Sequence, residues 1–182
     1  AGERKGYTYE ALVYLALQRL KEQGKLEGEI FWNQTPATMT ITPDFTVGPK
    51  VDAPELFVLV AHSGSARNSE MKFWRNLGEL CEAKTLLSKT PRVYTIVFDA
   101  VIKEGLKKLQ FAAFDGQLLV ENRDYGRELI KWVSTSTELE KVVARDKRAI
   151  AAAIEEIVSR DCTLASLLKR LADDIAELLQ GR

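Results

Sequence analysis

The sequence predicts an α/β protein, an α/β/α sandwich around a mixed central sheet with additional C-terminal helices. Three observations carry that expectation. Leu56-Phe57-Val58-Leu59-Val60-Ala61 and Val93-Tyr94-Thr95-Ile96-Val97-Phe98 are apolar runs too short for helices, so they read as strands covered on both faces. Ile30-Phe31-Trp32-Asn33 and Met39-Thr40-Ile41-Thr42 are aromatic and β-branched and flank a turn with Pro36, which predicts an antiparallel hairpin. Helical spacing precedes the hairpin and separates the two buried strands. The resulting order of helix, strand, strand, buried strand, helix and buried strand is that of a layered α/β domain.

The first helix is predicted from Thr8 to Gln23, where Leu12, Val13, Leu15, Ala16, Leu17 and Leu20 form one apolar stripe and Gly24 supplies the stop. Phe45 to Val47 prolong the second hairpin arm until Gly48-Pro49 breaks it. After the turn at His62-Ser63-Gly64-Ser65, a helix opens with Ser65, Asn68 or Ser69 as its cap. On that helix Phe73, Leu77, Leu80 and either Ala83 or Lys84 fall along one line, while Lys72, Arg75, Asn76 and Glu79 share another sector. A short helix over Ile102 to Leu109 and a strand over Gln117 to Val120 complete the sheet layer.

The predicted core unit spans residues 1–137. Residues 138–182 form a helical extension that packs on the core or on a partner: an Ala-rich helix through Arg160, Thr163 as a cap, and a last helix from Leu164 to Leu179. Leu164, Leu168, Leu171, Ile175 and Leu178 alternate steps of four and three, the spacing of a helix-packing seam.

The chain has 182 residues, 46% hydrophobic and 29% charged, which suits one soluble domain and excludes general disorder. Twenty-six basic and 26 acidic side chains cancel, so no global basic field announces nucleic acid, and any such contact must be a local patch. One local patch exists. Between Ser63 and Arg92 six cations (Arg67, Lys72, Arg75, Lys84, Lys89, Arg92) face three acids (Glu70, Glu79, Glu82). Cys81 and Cys162 lack metal-ligand spacing and are expected as buried free thiols in a reducing compartment. No run approaches the ~18 apolar residues of a spanning helix and no signal peptide opens the chain, so a cytoplasmic protein is expected. The opening Ala-Gly suggests a trimmed terminus or one domain of something longer.

The residues that could carry chemistry cluster between Thr42 and Leu80. Pro43-Asp44 lies on the second strand, the third strand ends at His62, Lys72 lies beyond it, and Glu10 sits in the first helix. In these features the segment from Tyr7 to Val120, roughly two-thirds of the chain, resembles the catalytic core of the PD-(D/E)XK nuclease superfamily, the restriction-endonuclease-like fold, and is most similar to bacterial restriction enzymes. The resemblance implies Mg²⁺-dependent hydrolysis of double-stranded DNA, with Asp44 as the first metal-binding acid and Lys72 as the cation. The residue types suit that chemistry independently. Hard Mg²⁺ takes carboxylate oxygens and waters, polarises a phosphoryl oxygen and acidifies a water, while a lysine offsets the charge that builds on phosphorus.

One departure matters. The family's second acid and its lysine alternate on the third strand, where this chain has Val60 and His62. Three repairs are open. Glu70-Met71-Lys72 spells Glu-x-Lys, but on a helix residues two apart point about 200° from each other. Glu79, seven residues beyond Lys72, shares its face, as in restriction enzymes whose acid has migrated to this helix. His62 could also stand in for the lysine. The preferred set is Asp44 and Glu79 on the metal with Lys72, His62 as a further catalytic candidate, and Glu10 or Glu70 as an outer or alternative acid. Arg67, Arg75, Asn76 and Lys84 are the expected DNA contacts. A second copy of the chain is a further candidate partner. A catalytically inactive nuclease fold, and an interaction module assembled through the leucine seam, are the competing readings.

Overall fold

The computed structural model describes residues 2–62, 66–99, 104–143 and 145–180, apart from the side chains at 2, 3, 66–69, 104, 107, 110 and 111. Helix α1 runs Gly2–Glu22, and Gly24 ends it at φ +73°, a left-handed conformation that costs glycine little. Five strands follow: β1 Glu29–Trp32, β2 Phe45–Gly48, β3 Leu56–Ala61, β4 Arg92–Val97 and β5 Gly116–Leu119. Helices α2 (Ala66–Leu86) and α3 (Glu104–Ala113) lie between the later strands. The chain ends in α4 (Gly126–Thr135), α5 (Lys147–Val158) and α6 (Cys162–Leu179).

The strands form one open mixed sheet in sequential order. The pairs β1–β2 and β2–β3 are antiparallel, with Trp32 opposite Phe45 and Phe45 opposite Val58; β3–β4 and β4–β5 are parallel, with Val58 opposite Tyr94 and Ile96 opposite Leu118. Side chains alternate across the central strands. Leu56, Val58, Tyr94 and Ile96 join the core of α1, α4, α5 and α6, whereas Phe57, Leu59 and Val93 pack with Leu80 and Ala83 of α2 and with Phe114. Helices therefore cover both faces of an α/β domain.

The hairpin differs from expectation. Met39–Thr42 is not a strand; β1 pairs with Phe45–Gly48 across a long loop. The backbone donors of that loop are taken elsewhere. The Glu82 carboxylate of α2 accepts from the Thr40 N–H (2.9 Å), the Thr40 hydroxyl (2.7 Å) and the Ile41 N–H (2.7 Å), so they serve a side chain and not a ladder. These bonds hold the Glu82 carboxyl below the usual range, the Thr40 hydroxyl contributing most.

Other expectations need correction. Both cysteines are exposed: Cys81 sits about 100° round α2 from buried Leu80, and Cys162 opens the first turn of α6. Trp32 and Trp74 both read from the sequence as core residues and not as base-stacking platforms; Trp32 is buried and stacks on Tyr14 and Phe45, but Trp74 is 51% exposed. Asn68 and Ser69 fall inside the first turn of α2, while Ser63, Gly64, Ser65 and Ile102 lie outside the described residues. The Ala-rich helix begins only at Lys147, after a 3-10 turn over Glu138–Lys141. Asp161, not Thr163, caps α6, because its carboxylate receives the Thr163 and Leu164 N–H groups. The helix α4 was not anticipated from the sequence.

All five seam residues of α6 are buried within this chain. The surface that a leucine-mediated assembly would need is thus consumed by the chain's own core. Among the described residues no helix is long and apolar enough to cross a membrane. Leu171→Ala should lower unfolding free energy by roughly 2–5 kcal/mol, as core truncations do. Denaturant titration at two protein concentrations checks this, and the loss should be the same at both.

Candidate active site

Asp44 precedes β2 by one residue, just past the end of the β2–β3 ladder, and its Oδ2 accepts the Val60 N–H at 2.7 Å. The third strand therefore contributes its backbone to the site where an acid was missing. Asp44 keeps some solvent contact as a residue, yet its carboxyl lies deep enough that burial leads in pushing its pKa up to about 7. The negative charge of Glu10 adds to the rise, while the Val60 N–H and the charges of Lys147 and Lys72 oppose it.

Glu79 and Lys72 come from α2, which is helical from Ala66 to Leu86. Glu79 is 3% exposed, and burial first, then the charge of Asp44, pushes its pKa up to about 8. Its Oε1 lies 3.6 Å from the Arg75 Nε, whereas Oε2 is buried with no hydrogen-bond partner among the described residues. Lys72 is half-buried. Burial lowers its pKa, and the nearby charges of Asp44 and Glu10 work against that shift. Four of the expected residues, Asp44, Glu79, Lys72 and Glu10, thus share one electrostatic neighbourhood.

Glu10 is anchored. Its Oε1 accepts from the Trp32 indole N–H at 3.1 Å, and the Lys147 Nζ lies 3.0 and 3.2 Å from its two oxygens. Lys147 also donates to Asn33 Oδ1 at 2.7 Å and rests over the Tyr7 ring at 4.7 Å. Asn33 is held at φ +54°, and its own N–H donates to the Asp44 carbonyl at 2.9 Å. Sequence reasoning missed Lys147 and Asn33 altogether. Lys147 lies 137 positions from Glu10, and no local pattern marks it.

The remaining candidates follow β3 or lie along α2. His62 is half-buried against α1, its ring 5.2 Å from that of Tyr9, and a Cβ on Gly6 would come within 3.0 Å of its Nε2. Glu70 is half-buried on α2, and because that segment is helical it diverges from Lys72. Asn76 is only 7% exposed, so it cannot serve as a surface DNA contact; it lies along the buried line of Phe73, Leu80 and Ala83. Arg75 and Lys84 are exposed, and the Arg67 side chain lies outside the described ones.

Among the described residues no three of His, Cys, Asp or Glu converge closely enough to hold a metal ion. Two carboxylates can nevertheless suffice for Mg²⁺, which keeps several waters and takes phosphate oxygens from its substrate. Buried Glu79 Oε2, without a partner among the described residues and within the field of a second acid whose charge raises its pKa, fits such a cation. Asp44 and Glu79 would hold it.

No family model, curated protein or solved structure matches this chain.

The raised acids fix a pH dependence. From the ordinary carboxyl values up to about pH 8 the native protein holds protons that the unfolded chain has released. Stability therefore falls as pH rises through that window and levels off above it. Thermal melts in EDTA should show a falling midpoint from about pH 5 to pH 8. Glu79→Gln should flatten the upper part of that decline.

Proposed function

We propose that the chain is an Mg²⁺-dependent endonuclease hydrolysing phosphodiester bonds of double-stranded DNA in the cytoplasm, as a restriction endonuclease or the cleavage domain of one. The observation that carries this reading is the buried pair Asp44 and Glu79, with a Glu79 oxygen unpartnered among the described residues and Lys72 in the same neighbourhood. The resemblance in residue order supports it.

The Val60 N–H fixes one Asp44 oxygen and so the orientation of the carboxylate. Glu79 presents the opposing acid from α2, and Arg75 restrains its other oxygen. When bound, Mg²⁺ supplies Lewis-acid polarisation of a phosphoryl oxygen and a more acidic water. Lys72, partly stripped of water, is suited to donate to a phosphate oxygen or to orient the attacking water, because a desolvated cation interacts strongly with developing negative charge. Water oxygen bonds to phosphorus and releases a proton to solvent, the bond to the leaving sugar oxygen breaks, and that oxygen takes up a proton from solvent.

A second reading is a nuclease fold that binds DNA without cutting it. Lys147 favours it by engaging both oxygens of Glu10, as does the lack of an acid on β3.

Cleavage of a plasmid should require Mg²⁺ and fall by roughly 100-fold or more in Asp44→Asn and in Glu79→Gln, the scale of several kcal/mol lost from the transition state. Lys72→Ala should lower the rate at saturating DNA while the variant still binds duplex. Full cleavage by all three variants would remove the site; DNA binding with no cleavage by the unsubstituted protein selects the second reading.

A further inference from the structure

We propose that the concave surface beside Glu10 is a phosphodiester-binding cleft that leads a nucleic acid strand onto the acid pair, a role that rests on the nuclease reading above. The cleft has a volume of about 540 Å³ and is lined by Trp32, Asn33, Val143, Arg145, Asp146, Lys147 and Arg148. Such a space is far larger than one water or one phosphate, and within the range of sites that take a sizeable ligand. Its lining carries three cations and one acid. The acid has another task, since Asp146 caps α5 by accepting the Ala149 N–H at 2.9 Å.

Two of the three cations are held in place by the groups around them. The Arg148 guanidinium lies 4.8 Å from the Tyr14 ring centre and 5.1 Å from that of Trp32, and donates to the Tyr14 hydroxyl at 2.8 Å. Stacking of this kind fixes the plane of the fork before any anion arrives. Lys147 is held between Glu10, Asn33 and the Tyr7 ring. Arg145 is exposed at the rim, and Val143, 69% exposed, gives the cleft an apolar lip suited to a sugar or base edge.

The cleft also has a direction. Lys147 and Asn33 belong both to its wall and to the acid cluster: Lys147 pairs with Glu10 and lowers the Asp44 pKa, and Asn33 bonds the Asp44 backbone. The left-handed conformation of Asn33 keeps its amide oxygen on Lys147 at this junction. A polyanion gripped at Arg145 and Arg148 would therefore run past Lys147 toward Asp44. These residues are separate from the α2 cations Arg75 and Lys84. They make α5, distant in sequence from the acids, part of the substrate path.

The test is the binding of a short fluorescent DNA duplex to the full chain in EDTA, followed by anisotropy across a salt series. Every phosphate that a variant ceases to neutralise should make the plot of log affinity against log salt shallower by about 0.9. Arg145→Gln with Arg148→Gln should weaken binding about tenfold at moderate salt and flatten the slope by up to about 2, while Lys25→Gln with Lys50→Gln, an equal charge change at exposed sites outside the cleft lining, should change neither. Arg145→Gln alone should give about half of the slope change, which serves if loss of the Arg148 stacking compromises folding. Unaltered affinity and slope in folded variants of a protein that still cuts DNA with Mg²⁺ would overturn the cleft and leave the nuclease reading standing. An unsubstituted protein that neither binds nor cuts DNA would overturn both.

Discussion

Two carboxylates placed where water cannot fully solvate them set the terms for the rest of this structure. Burial alone raises the cost of ionising Asp44 and Glu79, and each charge that forms nearby makes the next harder to form. Glu10 acts on Asp44, and Asp44 acts on Glu79, so the acids form a graded series. Cations relieve this only in part: Lys147 pairs with Glu10 and Arg75 lies 3.6 Å from one Glu79 oxygen, while Asp44 accepts a backbone N–H. Glu79 Oε2 has no partner among the described residues, and Lys72 is itself partly desolvated. A stably folded domain tolerates such an arrangement where the missing charge is supplied by something it binds.

The supporting frame explains how the acids stay in place. Asp44 hangs on the Val60 N–H, and its backbone is tied to Asn33 at the end of β1. The loop between β1 and β2 is fastened to α2 by the three hydrogen bonds to Glu82, which bring the strand that follows Asp44 and the helix carrying Glu79 into register. On the other side Lys147 of α5 closes on Glu10. The C-terminal helices thus have two tasks: they fill the core against α1 through the leucine seam, and they present cations at the edge of the site.

Much of the fold was legible because it follows from periodicity. The apolar runs at β3 and β4 could bury both faces only inside a sheet, and the stripe of α1 with its Gly24 stop left little choice. The Met39–Thr42 segment misled because β-branched composition describes what a strand tolerates, while Glu82 decides where its N–H groups go. The site was partly legible. Asp44, Lys72 and Glu79 follow from local order and helical spacing, but the same reading grouped Asn76 with the charged sector, and only its burial sets it on the inward side with Phe73. Lys147 and Asn33 were beyond reach, since only the tertiary fold joins residue 147 to residue 10, and the exposure of Trp74 and both cysteines likewise depends on what covers each helix face.

The chemistry of the site rests on whether the Asp44 and Glu79 carboxyls behave as an acid pair awaiting a cation. Carbon-13 NMR titration of their labelled carboxyl groups, assigned with Asp44→Asn and Glu79→Gln, reads this directly. Without metal they should titrate near pH 7 and pH 8, and saturating Mg²⁺ should move both down into or below the ordinary carboxyl range. Titration of both in the ordinary range without metal, or curves that Mg²⁺ leaves unmoved, would contradict such a pair.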